Sequence, residues 1–553
     1  MSISHGHAPA TEDHAPANAD DGRPAARDLI AGLAARPWGQ VSPSVYETGR
    51  LVALAPWLKG HARRMDFLSA TQRADGAWGG PDGYALAPTL SATDAVLSAL
   101  IRADAGVGTD GDGDRPGLTR VADLGVSALF RLLPRLGMAS MPDMPAIELI
   151  AASLVASINR SLDVLNDAPS TGLGRWSGGE RLRLPRGLST ERFYAVRAML
   201  NAGAAPPDKL LHALETVGEP ARGARTVRPA PSGTIGASPA ATAAWLDRDG
   251  VADPAHPARR FLETVADLDG GPVPCGIPIT VFERAWVITN LVRAGIAVEV
   301  PAALTASLRG ALNPSGTPAG EGLPPDADTT SVALHALGLL GLPYRPDSLW
   351  PYRLEGHFCT WQGEDGFSTS TNAHVLEAFG QYAAQHPDAT PRHAAVVTEL
   401  TSLLLGHQRD DGGWLDRWHA SPYYATASCA LALDRFGGDP ARPAVRKAVR
   451  WVLATQRADG SWGRWAGTPE ETAYALQILL LTHAAGEESH AAVARGHAYL
   501  MRSAGGPAGP ALWHDKDLYR PDAIVRSAVV AAVHLARRDP SVATLIAAEN
   551  NDK

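Results

Sequence analysis

The sequence predicts an all-α protein that is divided into more than one helical domain. Residues 92–101, 331–340 and 473–481 carry Ala and Leu at the spacing of a helix. Segments rich in Pro and Gly separate such stretches, and no long run alternates apolar and polar residues as a strand would. The length of 553 residues is too great for one compact core, so two or three domains are expected.

The strongest organisational signal is a repeated segment with the spacing Q-x3-G-x-W. Copies occupy residues 72–78, 408–414 and 456–462, and each follows an apolar stretch. A degraded copy at residues 362–367 lacks the Trp. The last three copies begin 46 and 48 residues apart, which leaves room for two helices and two turns in each unit.

The chemistry of the repeat indicates a structural role. Asp and Gly can turn the chain where a helix ends, and Trp can fold back over that end. Gln can bond to the backbone groups left open there. Such units stack and close into an α/α toroid, so the tryptophans are interpreted as staples of the fold.

Composition and charge argue against several classes of partner. The formal net charge is -8 and Lys and Arg form no run, which argues against nucleic-acid binding. Cys275, Cys359 and Cys429 lie far apart, so neither a disulfide framework nor a four-ligand zinc site is expected, and a cytoplasmic location fits. No uninterrupted apolar run reaches about 18 residues, so no membrane span is expected. The sequence leaves self-association into a homo-oligomer open.

The first 26 residues are predicted to form a disordered tail. They are rich in Pro, Asp and His. They contain no apolar core of the kind that a signal peptide needs.

The repeats resemble the QW motifs of the terpene cyclase superfamily, which includes squalene-hopene cyclases and class II diterpene cyclases. Other stretches are similar to bacterial class II diterpene cyclases and extend the resemblance over nearly all of the chain after residue 40. These stretches are residues 43–48, 236–246, 282–287, 370–376 and 513–519.

The resemblance implies two α/α-toroid domains in the βγ architecture of class II terpene cyclases. The γ domain would be inserted after the first helix of the β domain, with the active site between the two. On that basis residues 27–45 begin the β domain, residues 46–290 form the γ domain and residues 291–545 complete the β domain. The length leaves no room for an additional class I α domain.

A cluster of acidic and hydroxyl side chains opens one apolar helix. It comprises Asp326, Asp328, Thr329 and Thr330 in the order DADTT. Taken alone, the cluster suits a helix cap, because Asp, Thr and Ser are favoured at helix starts. It also resembles the DxDD acid motif of class II cyclases, with Thr329 at the position of the last Asp. The DxDTT form resembles drimenyl diphosphate synthases.

Protonation of an alkene explains why such a motif is needed. An alkene is a very weak base, so its proton donor must be un-ionised at the working pH, and burial or a second carboxylate raises a carboxyl pKa. The resemblance implies that Asp328 is the proton donor. Asp326, Thr329 and Thr330 would then orient the proton and relay its replacement.

Aromatic and basic side chains are candidates for substrate binding. Aromatic faces can stabilise a migrating positive charge, and the candidates are Trp361, Trp418 and Tyr424. Packing is the favoured explanation of each one taken alone, whereas several of them together are expected to line the cavity. Tyr423, Trp465 and Tyr474 are further candidates. A retained diphosphate needs cations, for which the candidates are Lys209, Arg284, Lys516 and Arg526, with surface exposure as the alternative.

Glu148 is the candidate metal ligand. It resembles a γ-domain acid that could hold Mg²⁺ beside the diphosphate, and hard oxygen ligands suit that ion. An acid at a helix start is the alternative. The terminating base is not identified; His374 and Asn372 are candidates, but ordinary helix packing is the favoured explanation of both.

The leading functional hypothesis is protonation and bicyclisation of a linear prenyl diphosphate that keeps its diphosphate. The DxDTT form favours farnesyl diphosphate as substrate and drimenyl diphosphate as product. The alternative is geranylgeranyl diphosphate and a copalyl-type product. A zinc-dependent prenyltransferase β-like subunit and a non-catalytic α/α toroid are the hypotheses from other classes. No DDxxD run occurs, which disfavours cyclisation initiated by ionisation.

Overall fold

The computed structural model describes residues 22–106, 115–138, 140–167, 173–176, 178–364, 366–386 and 391–551. Most of the expected disordered tail, residues 1–21, lies outside the described residues. The boundary of that tail at residue 26 is wrong, because helix α1 (Arg23–Ala35) already begins at Arg23. Pro24 suits its first turn, where no backbone N–H is needed, and its apolar face is buried.

The N-terminal unit follows α1 and is built from short helices. They are α2 (Val45–Leu54), α3 (His61–Thr71), α4 (Leu86–Asp104), α5 (Arg115–Leu132), α6 (Ile147–Asp167), α7 (Glu191–Asn201), α8 (Pro239–Trp245), α9 (Arg248–Ala252) and α10 (Pro257–Leu268), with 3-10 helices Leu133–Arg135, Gly174–Trp176, Asp208–Val217 and Glu219–Ala221. Helices α2, α4 and α6, the 3-10 helix Asp208–Val217 and α8 contact one another in that order, and α8 returns to α2. They therefore form one closed ring.

The C-terminal unit forms a second ring. Its helices are α11 (Thr280–Arg293), α12 (Ala302–Ala311), α13 (Ala327–Leu339), α14 (Thr369–Gln385), α15 (Pro391–Gly406), α16 (Pro422–Phe436), α17 (Gly438–Ala454), α18 (Pro469–Leu481), α19 (Glu488–Ser503), α20 (Asp522–Arg538) and α21 (Pro540–Asn551), with the 3-10 helix Pro346–Tyr352. Helices α11, α13, α14, α16, α18 and α20 contact in that order, and α20 returns to α11. Helices α1, α12, α15, α17, α19 and α21 pack outside them. The architecture is thus two α/α toroids, as predicted.

The position of α11 corrects the expected end of the γ domain. The sequence placed that end at residue 290, which assigns most of α11 to the N-terminal unit. In the structure, Phe282, Trp286 and Leu291 of α11 are buried in the core of the C-terminal unit. Helix α1 packs on α11 and α20, so it is grouped with the same unit. The packing therefore ends the inserted unit before Thr280.

The QW repeats act as the predicted staples. The indole N–H groups of Trp78, Trp414 and Trp462 donate to backbone oxygens of the preceding helix at 2.7, 2.9 and 2.7 Å. All three indoles are fully buried. Each repeat Gln donates both to its own turn and to the next outer helix; Gln456, for example, donates to Gly460 O and Ala492 O. The repeat therefore ties successive units together.

Two short antiparallel ladders lie at the mouth of the C-terminal ring. Strand β1 (Thr317–Pro318) pairs with β2 (Pro325–Asp326), and β3 (Trp513–His514) pairs with β4 (Leu518–Tyr519). The first ladder ends where α13 begins, so it fixes the start of the DADTT helix. Of the helices in the described ranges, none has the length and apolar character required to cross a membrane.

Candidate active site

A cavity of about 770 Å³ lies between the two rings, and both contribute to its wall. The N-terminal unit supplies the start of α6 and the segment around Lys209. The C-terminal unit supplies the start of α13 and a set of aromatic residues. Those aromatic residues are Phe282, Trp361, Trp418, Trp513 and Tyr519. The cavity thus lies between the two rings, and it is the candidate active site.

Asp328 faces this cavity from the first turn of α13. Its side chain is 15% exposed, and its Oδ1 lies 2.7 Å from Nδ1 of His374 on α14. The cap of α13 is Asp326, whose Oδ1 accepts a hydrogen bond from the Thr329 N–H at 2.6 Å. Asp326 therefore caps the helix, and Asp328 faces the cavity, so the two interpretations of the motif apply to different residues. Asp328 is left available for chemistry.

The pKa of Asp326 is strongly affected by its surroundings. Burial raises its pKa to about 8, and the neighbouring Asp328 carboxylate acts in the same direction. Hydrogen bonds from Thr329 oppose these effects but do not cancel them. Asp326 therefore holds a proton at neutral pH, beside the carboxyl group expected to deliver one.

His374 lies beside the acid rather than apart from it. Burial by itself lowers the pKa of His374, but the Asp328 carboxylate outweighs burial and the pKa ends above its usual value. The ring also meets the edges of Trp286 and Tyr424, with centroids 5.5 and 6.3 Å away. His374 is thus built into the acid centre.

The two threonines of the motif differ in what they can do. Thr329 lines the cavity next to both acids. The Thr330 hydroxyl donates to Asp326 O and accepts from the Thr317 N–H at 2.7 Å, fully buried. The predicted relay role of Thr330 is therefore corrected to a structural one, since its hydroxyl joins β1 to α13.

The predicted aromatic candidates separate into two layers. Trp361 and Trp418 line the cavity edge to face, with centroids 4.9 Å apart. Tyr424 is not among the residues that line the cavity, which corrects its predicted contact with the substrate. Its hydroxyl accepts from the Trp286 indole N–H at 3.1 Å, and its ring lies 4.7 Å from Trp513. Sequence reasoning overlooked Trp513 as a cavity residue, although it opens one of the similar stretches.

Three lysine or arginine side chains of the described ranges line the cavity and could hold a diphosphate. Lys209 was predicted, whereas Arg192 and Arg417 were not. Arg192 lies 2.9 Å from Glu148, and Arg417 lies 2.8 Å from Asp143. No repeat or motif marked either arginine, because the fold brings them together from α7 and from the turn after α15.

The other three predicted cations are corrections. Lys516 is fully buried and its ammonium contacts Glu47 and Glu215, so it is engaged inside the protein. Arg284 donates to Ser307 on α12, on the outer side of the ring. Arg526 is exposed on α20. None of them lines the cavity.

The cavity offers limited support for a metal ion. Glu148 lines it, but within the described ranges no group of three or more His, Cys, Asp or Glu side chains converges on one point. Mg²⁺ commonly uses one or two carboxylates and completes its coordination with phosphate oxygens and water. Glu148 therefore fits such a role only in company with a bound diphosphate.

A histidine–carboxylate pair crosses the cavity wall from one unit to the other. His212 Nδ1 lies 2.6 Å from Gly236 O, and His212 Nε2 lies 2.6 Å from Asp515 Oδ1. Burial lowers the pKa of His212, but Asp515 more than compensates and the pKa is raised. Both neighbouring groups are acceptors, so both ring nitrogens donate and His212 is an imidazolium ion. Neither residue was singled out from the sequence.

Comparison with known proteins agrees with this geometry. Residues 364–519 match the family model for the squalene-hopene cyclase C-terminal domain. An ent-copalyl diphosphate synthase of Streptomyces sp. (strain KO-3988) is 41% identical over 93% of this chain and 96% of its own length. A labda-7,13-dienyl diphosphate synthase of Streptomyces clavuligerus is 42% identical over 94% of each chain.

A solved structure shows the same architecture. The ent-copalyl diphosphate synthase from Streptomyces platensis superposes with a TM-score of 0.87 and 45% identity over 93% of this chain and 99% of that one. The chain belongs to the class II terpene cyclase family. It is therefore an enzyme of the isomerase type, and the relatives named are diterpene cyclases. This membership supports neither the prenyltransferase hypothesis nor the non-catalytic one.

Proposed function

We propose that this enzyme converts geranylgeranyl diphosphate into a copalyl-type bicyclic diphosphate and keeps the diphosphate intact. The observation that carries the proposal is a carboxyl centre, Asp326 and Asp328, facing an aromatic cavity in a chain about 40% identical to copalyl diphosphate synthases. The DxDTT form had favoured a C15 substrate. The relatives named support the C20 alternative instead, and a cavity of about 770 Å³ is large among small-molecule sites, which span about 300–1,000 Å³.

Asp328 would begin the reaction by taking the proton that Asp326 holds and giving it to the terminal alkene of the substrate. The alkene π electrons form the new C–H bond, and the carboxylate keeps the electrons of the broken O–H bond. A hydrogen bond from His374 Nδ1–H to Oδ1 would stabilise that carboxylate as it forms. Asp326, once it has taken up a new proton, would supply Asp328 again for the next turnover, with Thr329 lining the cavity beside both acids.

The positive charge would then move through two ring closures inside the aromatic wall. Trp361, Trp418 and Trp513 present π systems that can stabilise a cation without removing a proton. The reaction ends when a carbon next to the cation loses a proton, which restores neutrality and makes the reaction an isomerisation. The Asp515 carboxylate, held by His212, is the cavity group suited to receive that proton, since even a weak base suffices for so strong an acid.

The diphosphate would be held at the cavity rim by Arg192, Lys209 and Arg417. Mg²⁺, where it takes part, would be bound by Glu148 and would neutralise phosphate charge. Neither the bound diphosphate nor Mg²⁺ needs to take part in the proton-transfer steps.

The substrate assay tests the proposal directly. The enzyme is incubated with geranylgeranyl or farnesyl diphosphate, and the dephosphorylated products are identified. We expect kcat/KM to favour the C20 substrate by at least about 10-fold, because each apolar methylene in a fitted pocket contributes roughly 1–3 kcal/mol. A preference for farnesyl diphosphate would overturn the C20 assignment, and absence of any cyclised product would overturn the proposal as a whole.

The pH dependence of turnover should follow Asp326. Its pKa of about 8 keeps it protonated below that pH, and its proton is lost as the pH rises through 8. We therefore expect kcat to fall above about pH 8. The Asp326→Asn variant should be slower at every pH, but its profile should lack this descending limb. A limb that persists unchanged in the variant would assign it to another group.

The rim cations should control substrate affinity rather than chemistry. Arg192→Gln, Lys209→Gln and Arg417→Gln should each raise KM by about 10-fold, because a charge-assisted hydrogen bond contributes about 1.5–3 kcal/mol. Arg526→Gln is the matched control, because it removes an exposed arginine outside the cavity. Equal KM values in rim and control variants would place the diphosphate elsewhere.

Glu148→Gln should weaken any stimulation of turnover by Mg²⁺.

A further inference from the structure

Glu470 is a buried carboxylate directly behind the aromatic wall of the cavity. It lies in the first turn of α18 and is only 3% exposed. The cavity itself is lined by Trp513, not by Glu470. Neither the proton donor nor the diphosphate site described above contacts this residue.

Three donors converge on one oxygen of Glu470. The indole N–H of Trp513 donates at 2.8 Å, the hydroxyl of Tyr474 at 3.1 Å and Nε2 of His419 at 3.1 Å. Its other oxygen is buried and has no hydrogen-bond partner among the described residues. This arrangement is the one expected of a carboxylate, which only accepts.

The His419 contact does not neutralise that charge. Nδ1 of His419 accepts a hydrogen bond from the Ser421 N–H at 3.0 Å, so it carries no proton. The ring proton is therefore on Nε2, and His419 is neutral. In the part of the chain that the structure describes, no Lys or Arg nitrogen forms an ion pair with Glu470. All three donors are uncharged, and the negative charge of Glu470 is not balanced locally.

This charge acts on the cavity through the indole of Trp513. A carboxylate that accepts the indole N–H pushes electron density into the ring, and its field also extends beyond the ring. Burial and then the Glu470 carboxylate raise the pKa of the Tyr474 phenol well above its usual value. Two opposite unit charges that lie about 7 Å apart, at an effective dielectric constant of about 20, attract each other strongly enough to change a binding constant or a reaction rate by roughly 50-fold.

We propose that Glu470 is an electrostatic positioning residue, which holds the Trp513 indole by its N–H and strengthens the attraction of that ring for the carbocation formed in the cavity. The inference rests on the proposed cyclisation and adds a residue that never touches the substrate. It assigns the buried negative charge to the stabilisation of cationic intermediates rather than to folding.

Glu470→Gln removes the charge and keeps the shape of the side chain. Glu471→Gln is the matched control, because Glu471 is the next residue of the same helix turn and is 1% exposed. Glu471 accepts from Ser421 Oγ and the Arg464 N–H, at 2.6 and 2.7 Å, and contacts no ring of the cavity wall. Both variants therefore test a buried carboxylate, but only one of the two is coupled to Trp513.

The probes are a decahydroquinoline diphosphate, whose protonated ring nitrogen imitates a bicyclic cation, and the neutral decalin diphosphate of the same shape. We expect Glu470→Gln to weaken binding of the cationic probe by about 10- to 100-fold and to leave the neutral probe unchanged. In the same variant kcat for cyclisation should fall by a similar factor with little change in KM. Glu471→Gln should preserve the ratio of the two affinities, even where it lowers thermal stability.

Two results would overturn the inference. One is an unchanged affinity ratio in Glu470→Gln, and the other is an equal change of that ratio in Glu471→Gln. If Glu470→Gln does not fold, Trp513→Phe takes its place, because this variant keeps an aromatic ring but lacks the indole N–H. Trp513→Phe must then lower the affinity for the cationic probe relative to the affinity for the neutral probe. Failure of the wild-type enzyme to cyclise any prenyl diphosphate would instead refute the proposed function, so the two failures are distinguishable.

Discussion

Replacing Asp328 by Asn is expected to abolish cyclisation, with turnover reduced by about 10³–10⁴-fold or more, while the fold is retained. The variant removes the acidic proton and has no other means of protonating an alkene. The start of α13 should survive, because the cap of that helix is Asp326 and not Asp328. Product formation from geranylgeranyl diphosphate, the circular dichroism spectrum and the thermal midpoint are the measurements.

Asp347→Asn is a suitable control for that experiment. Asp347 is a half-exposed acid of the same unit, paired with Arg345 and remote from the cavity wall. Its replacement should leave turnover unchanged. Retention of more than about a tenth of wild-type activity in Asp328→Asn would show that another group donates the proton.

Of the proposed variants, Lys516→Met should cause the largest decrease in the free energy of unfolding. The Lys516 ammonium is fully buried between Glu47 and Glu215, and it also donates to Ser238 Oγ at 2.8 Å. Burial lowers the pKa of Lys516, but the two carboxylates raise it well above its usual range, so the ion stays charged. Removing one partner of a buried ion cluster leaves uncompensated charge and costs about 3–5 kcal/mol. Thermal or denaturant unfolding measures the loss.

The exposed pair of Lys59 and Asp267 provides the comparison. Its side chains are 51% and 63% exposed, so Lys59→Met should change the free energy of unfolding by less than about 1 kcal/mol. Combining Lys516→Met with Glu47→Gln and Glu215→Gln should recover part of the lost stability. Similar losses in Lys516→Met and Lys59→Met would refute the assignment of a buried, interdependent ion cluster.

The same lysine shows why the sequence predicted the fold better than the site. The Gln, Gly and Trp of each QW repeat lie within one turn of the chain. The spacing of these residues in the sequence is therefore enough to predict the structure of that turn. Lys516 was a candidate diphosphate ligand, because the sequence alone does not show which side chains this lysine contacts in the folded protein. Its two carboxylate partners, Glu215 and Glu47, lie 301 residues or more away along the chain, and only the closed fold brings them into contact.

The acid motif was predictable in part for a related reason. The pattern of Asp326 and Asp328 before an apolar helix indicated both a cap and an acid centre. The sequence did not divide those roles between the two residues, because the division depends on hydrogen bonds to Thr329 and His374. Arg192 and Arg417 were missed because they approach the cavity from different units and carry no pattern. The boundary at residue 290 failed because α11 joins the second ring through packing alone.

The closure of the second ring by α20 also constrains how the protein is made. The inserted unit, from α2 to α10, is complete once about half of the chain has been synthesised, and its ring contains no helix from beyond that point. The ring with the proton donor is closed only when α20 returns to α11, from which it is separated by more than 200 residues of the chain. The ribosome must therefore release almost the whole polypeptide before the reaction chamber can exist, and a nascent chain that stops before Asp522 should have a folded first ring and no cyclase activity.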